Sequence, residues 1–199
     1  MADFTITIDV KQLQAFATTM QVKAQSGLVA AYSPQFKRRL IEGANATTYN
    51  LTGAVLHRRT GNLARAVGWE LQQGAEKVTG RVGIIKQGPA LKYSMIHMSG
   101  GVLRPTHGQW LTIPLPAMLT SAGVARGTAR SVPNSFFIRS KRGNLLLVRK
   151  RPGGIEPLFV LKREVRIPKR DFFTGPKDQT IRAVEADIAQ LIRNELVLN

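Results

Sequence analysis

The sequence of 199 residues contains no cysteine. This absence excludes disulfide bonds, thiolate metal sites and cysteine nucleophiles, and it suits folding in a reducing cytosol. Aromatic residues make up only 7%, so we expect a core built mainly from Leu, Ile, Val and Ala. No apolar run approaches the ~20 residues of a membrane-spanning helix, and residues 1–6 lack the positive start and apolar segment of a signal peptide. We therefore expect no membrane contact and no export.

Acidic residues are also scarce. The chain carries 12 Asp and Glu against 29 Lys and Arg, a net charge of +17. Residues 126–170 alone have 13 basic and 2 acidic side chains, a net of +11, whereas residues 171–199 have a net of −2. Concentrated positive charge repels itself unless a polyanion or an acidic protein surface lies nearby. The alternative is a basic surface that serves solubility alone.

Patterns that carry enzyme chemistry are missing as well. The three histidines (His57, His97 and His107) lack the spacing of a helical metal site, and the carboxylates do not cluster as a two-metal nuclease requires. The glycine pairs are not followed by the Lys-Ser/Thr of a phosphate-binding loop, and no serine stands in a nucleophile elbow. We therefore predict a protein that is not an enzyme and has no metal and no cofactor. The alternative is a metal site on His97 and His107, which flank a Gly-Gly turn.

The first third of the chain predicts a strand followed by two helices. Apolar residues alternate over Phe4–Val10, which is the pattern of a half-buried strand, and then recur at helical spacing over 10–24. A second helix is predicted to begin at Ser33-Pro34, because serine caps helices and proline suits their first turn. Its apolar stripe runs to about His57.

The rest of the chain alternates between strand patterns and single helices. The predicted elements are a hairpin over 67–84, a helix over 92–98, a strand over 110–115, a loop or arm over 117–134, a hairpin over 136–150, strands over 158–161 and 165–167, and a helix over 177–196. This order predicts an α+β fold, with N-terminal helices and a C-terminal helix packed on a mainly antiparallel sheet. We expect a single domain over 1–199, from which a basic hairpin or arm protrudes at about 117–154.

The predicted hairpin over 136–150 holds the densest group of basic residues. We predict that six of them face an anionic partner, either DNA or an adjoining protein: Arg139, Lys141, Arg142, Arg149, Lys150 and Arg151. Phe136 and Phe137 precede this group and no aromatic residue lies within it, so base stacking is disfavoured. Any contact with nucleic acid should be made to the backbone and be insensitive to sequence.

Four segments in order resemble a known family. Residues 59–67 read Arg-Thr-Gly-Asn-Leu-Ala-Arg-Ala-Val, residues 93–101 read Tyr-Ser-Met-Ile-His-Met-Ser-Gly-Gly, Arg104-Pro105 is followed by the strand over 111–115, and residues 165–173 read Val-Arg-Ile-Pro-Lys-Arg-Asp-Phe-Phe. Together they resemble the neck and tail-completion proteins of long-tailed bacteriophages over about residues 55–195.

The resemblance implies a structural virion protein that joins heads to tails. It implies a ring of identical subunits, commonly a hexamer, at the head-proximal end of the tail, assembled in the host cytoplasm. The implied neighbours are a tail terminator, connector, tube or tape-measure protein, and double-stranded DNA in the channel. The family segments give six residues a structural role: Tyr93, His97, Gly100, Gly101, Pro168 and Arg170. The alternatives are a sequence-independent nucleic-acid-binding protein and a basic nuclease.

Overall fold

The computed structural model describes residues 3–9, 28–74, 77–85 and 89–197, and its fold is α+β, as the order of elements predicted. The described residues form two compact units, one drawn from 1–99 and 170–199 and the other from 100–169. The helix predicted over 10–24 lies outside the described residues. The basic extension predicted at 117–154 lies within the second unit, and the single-domain organisation stays a prediction.

The first unit consists of helices and a three-stranded sheet. Its elements are β1 (Asp3–Asp9), α1 (Leu28–Tyr49), a π-helical turn (Asn50–Ala54), α2 (Asn62–Ala66), β2 (Val67–Gln73), β3 (Lys77–Ile84), α3 (Pro89–Ser99) and α4 (Thr174–Val197). The strand order is β1-β3-β2 and both pairings are antiparallel. The predicted first strand and the predicted hairpin are therefore confirmed. None of the described helices is both long enough and apolar enough to cross a lipid bilayer.

Helix α1 begins at Leu28, so the predicted start at Ser33-Pro34 is wrong. Pro34 lies inside the helix, although it lacks the N–H that would bond to the carbonyl four residues before it. Tyr32 and Phe36, on either side of this proline, are buried, and their rings stack with centroids 6.1 Å apart. The Ser33 hydroxyl donates to Oε1 of Gln73 (2.8 Å) rather than capping the helix. Core packing thus outweighs the local preference for a helix start.

The apolar stripe of α1 packs on β3. Phe36 and Leu40 are fully buried and share a core with Val78 and Val82. A Cβ atom at Gly80 would lie 2.6 Å from Leu40 Cδ2, a separation that packed atoms do not tolerate. The absent side chain at this position therefore lets the helix approach the sheet closely.

Helix α4 packs on α1, and its Val184 shares one core with Val78 and Val82 of β3. Asp171 Oδ1 accepts bonds from the backbone N–H groups of Phe173 (3.1 Å) and Thr174 (2.9 Å), so the helix begins one turn earlier than the predicted residue 177. Val184 is buried in the same core as α1, and Tyr32 donates to its carbonyl (3.5 Å). Helix α4 therefore contributes to the core that α1 shares with the sheet.

An ion pair joins the two long helices. Arg39 donates to both carboxylate oxygens of Asp187 at 2.7 Å. The hydrogen bonds from Arg39 lower the pKa of Asp187, with a further bond from Gln35. Burial raises the pKa of the nearby Tyr32 hydroxyl, and the charge of Asp187 adds to this effect. The pair therefore holds the carboxylate charged beside a phenol that keeps its proton.

The second unit is built from antiparallel strands. Its elements are β4 (Gly101–Leu103), β5 (Leu111–Pro114), two 3-10 turns (Pro116–Met118 and Ala129–Ser131), β6 (Ser135–Arg139), β7 (Leu145–Arg151), β8 (Gly154–Lys162) and β9 (Val165–Ile167). One sheet has the order β5-β8-β7-β6, and β4 pairs with β9. All the strands predicted here, and the loop over 117–134, are confirmed. Four buried apolar residues of β7 and β8 form a cluster, against which residues of the loop pack: Leu147, Leu158, Phe159 and Leu161.

Candidate anionic-partner surface

Positive charge in the second unit greatly exceeds what its own carboxylates neutralise. Residues 100–169 contain 13 basic and 2 acidic side chains. Glu156 pairs with two arginines, and Glu164 pairs with Arg104 (3.1 Å). Within the part of the chain that the structure describes, no carboxylate pairs with Lys141, Arg142 or Lys150. These cations are exposed and are available to an external anion.

The six predicted partner-facing residues separate into two groups at opposite ends of β7. Arg139, Lys141 and Arg142 surround the turn between β6 and β7, and we call them the turn triplet. Arg149, Lys150 and Arg151 lie at the far end of β7, beside the turn into β8, and we call them the Glu156 triplet. At about 3.3 Å per residue, the four residues from the start of β7 to the second group span roughly 13 Å. An extended ligand is therefore needed to contact both.

The turn triplet sits on a rigid hairpin turn. Ser140 N–H donates to the carbonyl of Asn144 (2.9 Å) and Gly143 N–H donates to that of Ser140 (2.8 Å). Gly143 has a φ of 77°, a left-handed conformation that glycine adopts without strain. Arg139 donates to the Gly143 carbonyl (3.4 Å), so the turn holds one guanidinium and leaves Lys141 and Arg142 extended into solvent.

Two further cations lie at the same end of the sheet and were missed from the sequence. Because β8 runs antiparallel to β7, Leu161 pairs with Leu145, and this register brings Lys162 and Arg163 to the turn triplet's end. Lys162 donates to Oδ1 of Asn144 within the turn. Arg163 lies over the ring of Trp110, 5.3 Å from its centroid. Strand pairing was the signal that could have located them.

The Glu156 triplet is only partly neutralised. Nη2 of Arg149 and Nε of Arg151 both approach Oε2 of Glu156, at 2.8 Å and 2.6 Å. The hydrogen bond from Arg149 lowers the pKa of Glu156, with a contribution from the charge of Arg151. One carboxylate thus serves two guanidinium groups, and Lys150 adds a third positive charge. This end of the strand retains a net positive charge of two.

The folded hairpin brings two aromatic residues close to the basic group. Although Phe136 and Phe137 precede the basic group in the sequence, they pair with Val148 and Leu147 in the middle of β7. This register places them between the turn triplet and the Glu156 triplet. Both side chains are exposed. Strand pairing thus brings two exposed aromatic rings beside the basic residues, and the expectation that base stacking is disfavoured stays a prediction.

The family segments predicted to be structural come together in pairs within each unit. In the first unit, the Arg170 N–H donates to the carbonyl of His97 (2.7 Å), which lies in α3 together with Tyr93. Burial lowers the pKa of His97, and the charge of Arg170 lowers it further. Its Nδ1 is buried and has no hydrogen-bond partner among the described residues. These features favour a neutral histidine at pH 7.

In the second unit, Gly100 and Gly101 lead into β4, which pairs with β9 ahead of Pro168. Gly100 has a φ of 69°, and a Cβ atom there would lie 2.9 Å from the backbone N of Lys169. Only glycine fits this crossing of the chain. Segments 62–66 residues apart in the sequence thus form one two-stranded ribbon.

The comparisons with known proteins add no relative to this description. No family model, no curated protein and no solved structure matches the chain. No group of three or more His, Asp or Glu in the described residues is arranged to hold a metal ion.

Proposed function

We propose that this chain is a structural subunit of the neck or tail of a long-tailed bacteriophage, in which it completes the tail and joins it to the head. In this proposal the subunit forms a closed ring, most simply a hexamer, within the virion. It acts without catalysis. Its basic second unit faces either DNA in the channel or an acidic surface on a neighbouring neck or tail protein.

The observation that carries the proposal is the charge of the second unit. Thirteen cations stand against two carboxylates, both of which are already in ion pairs. Charge of this density on a small sheet favours association with a polyanion or an acidic surface, because the like charges otherwise repel each other. A subunit that lines or borders a DNA-filled channel meets such a partner in every particle.

The arrangement of the family segments supports the same proposal. The ribbon formed by β4 and β9 and the bond between Arg170 and His97 bring together two of the four segments that resemble the family, residues 93–101 and 165–173. Proximity in the fold is expected of segments that serve one structural purpose, whereas it is not required of chance resemblances.

The test replaces the turn triplet by glutamine in the phage that encodes the chain. Arg139→Gln/Lys141→Gln/Arg142→Gln is expected to yield heads and tails that fail to join, because the attraction to the anionic partner is lost. Electron microscopy of lysates counts joined and separate particles. A matched control, Lys177→Gln/Arg182→Gln/Arg193→Gln, removes the same charge from α4 and should assemble normally.

Three results would contradict the proposal. The first is a wild-type number of joined particles with the turn variant, and the second is an equal defect in the control. The third is a reconstruction of the particle in which the subunit is absent from the neck and tail, or present there as a lone copy.

A further inference from the structure

Strand β6 presents two aromatic side chains at the edge of the larger sheet in the second unit. The strand order β5-β8-β7-β6 leaves one side of β6 without a neighbour among the described strands. Phe136 is 42% exposed and Phe137 is 62% exposed. Because adjacent residues of a strand point to opposite faces, each ring lies on its own face of the sheet.

The surroundings of Phe137 are basic on both sides. Phe137 pairs with Leu147, while Arg139 pairs with Leu145 and Ser135 pairs with Arg149. Residues two apart on a strand share a face and lie roughly 7 Å apart, and diagonal neighbours on adjacent strands lie at a similar distance. Arg139 and Arg149 therefore flank the Phe137 ring on the same face, one toward each end of the hairpin.

The inner neighbour of Phe137 explains why its ring is accessible. Leu147 is buried beneath the loop that covers the sheet, whereas Phe137 occupies the outermost strand, beyond this cover. The ring gains little from packing at this position, because most of its surface stays in water. Its exposure costs solubility, and a binding partner that covers the ring would remove this cost.

We propose that Phe137 is a stacking platform for an unpaired base of single-stranded nucleic acid, whose phosphates are held by Arg139 on one side and by the net positive charge of the Glu156 triplet on the other. Single strands are bound in this way generally, by cations that follow the backbone and aromatic rings that meet the bases. In a duplex the bases stay stacked on each other, so a duplex contacts the cations but not the ring. The proposal rests on the anionic-partner role of the basic surface and makes it more specific.

A protein strand added to the free edge of β6 is the competing occupant. Such a strand would have to be acidic, because the unit has no unpaired carboxylate among its described residues and carries a net charge of +11. It would gain backbone hydrogen bonds from β6 but would have no particular need for an aromatic ring between two arginines. The placement of Phe137 between cations favours the nucleic acid.

The experiment measures binding of fluorescent oligothymidylate of about 20 nucleotides, and of a duplex of similar length, by anisotropy with the full chain. Phe137→Ala is expected to weaken single-strand binding roughly fivefold to a hundredfold, the usual range for one stacked base. Duplex binding should change by less than about twofold, because phosphate contacts remain. Phe137→Trp should retain the single-strand affinity, and Phe136→Ala, on the opposite face, is the matched control.

Several outcomes would overturn the proposal. If Phe137→Ala leaves single-strand affinity unchanged, or lowers single-strand and duplex affinity equally, no stacking occurs, although wild-type binding to both would preserve the anionic-partner role. If Phe136→Ala causes the same loss of single-strand affinity, the nucleic acid does not bind specifically on the face of the sheet that carries Phe137. Wild-type protein that binds neither probe excludes nucleic acid as the partner. If sedimentation shows that Phe137→Ala only disrupts self-association, the ring is a protein contact.

Discussion

The two compact units divide apolar packing and charge unequally. In the first unit, helices α1 and α4 and a three-stranded sheet share one core, and the described residues belong to segments with 16 basic and 10 acidic side chains. In the second unit, a cluster of four buried apolar residues and the fully buried Val148 belong to a sheet whose segment has 13 basic and 2 acidic side chains. Of the two units, the one with the smaller apolar core therefore carries most of the excess positive charge. Strand pairing, which does not depend on side-chain charge, makes this possible.

The largest expected loss of stability comes from a charge placed in the core of the first unit. Val184→Asp should lower the free energy of unfolding by about 3–5 kcal/mol, because it buries a carboxylate with no partner. Ile188→Asp should act in the same direction but less strongly, since Ile188 is only partly buried. Chemical denaturation measures both. The control is Ala186→Asp, at an exposed position of the same helix; an equal loss there would show that helix propensity, rather than burial, is responsible.

A smaller effect is expected from a cavity in the second unit. Leu147→Ala should cost about 2–4 kcal/mol, the usual range for a buried leucine. Hydrogen exchange should show faster exchange of the amides in β7 and β8, while those in α1 keep their protection. Equal loss of protection in α1 would show that the two cores open as one. The control is Phe137→Ala, because Phe137 pairs with Leu147 on the neighbouring strand but is exposed. This variant should leave the exchange of the β7 and β8 amides unchanged.

The ion pair between the helices gives a pH-dependent effect. Asp187→Asn should cost about 1.5–3 kcal/mol at pH 7, because Arg39 loses a charged partner in a largely buried position. The pKa of Asp187 is lowered in the folded protein, so its contribution is complete above the unfolded pKa of about 4 and is lost as the pH falls through the lower folded value.

Melting curves of wild type and variant should therefore converge as the pH is lowered below about 4. Glu42→Gln removes a more exposed partner of the same Arg39 and should have a smaller effect at every pH. Parallel curves for the wild type and Asp187→Asn at all pH values would show that the carboxylate charge is irrelevant.

The smallest effect on stability is expected from the turn triplet. The glutamine variant of Arg139, Lys141 and Arg142 should keep its Tm within about 2 °C, because exposed charges contribute little to folding. Arg149→Gln/Arg151→Gln should lower the Tm more, since Glu156 loses both of its cations, and adding Glu156→Gln should recover part of the loss. A large drop for the turn variant would mean that these cations stabilise the hairpin itself.

Local patterns in the sequence were sufficient for most of the secondary structure. Alternating apolar residues predicted β1 and the β2–β3 hairpin, because a period of two is compatible with a strand and not with a helix. The glycine-containing turn at 140–144 predicted the hairpin of β6 and β7. Glycines marked the turn at Gly143 and the crossing at Gly100, where a left-handed φ is required. The charge excess over 126–170 was likewise visible from composition alone.

Tertiary structure decided the relations between distant segments. It continued α1 through Pro34, because burial of Tyr32 and Phe36 outweighs a missing backbone hydrogen bond, and it packed α4 on α1 in the core that both helices share with β3. Strand pairing also places the six cations at the two ends of β7, with Phe137 between the two groups. These outcomes depend on strand register and on competition for the same buried surface, and neither is encoded in a local window of sequence.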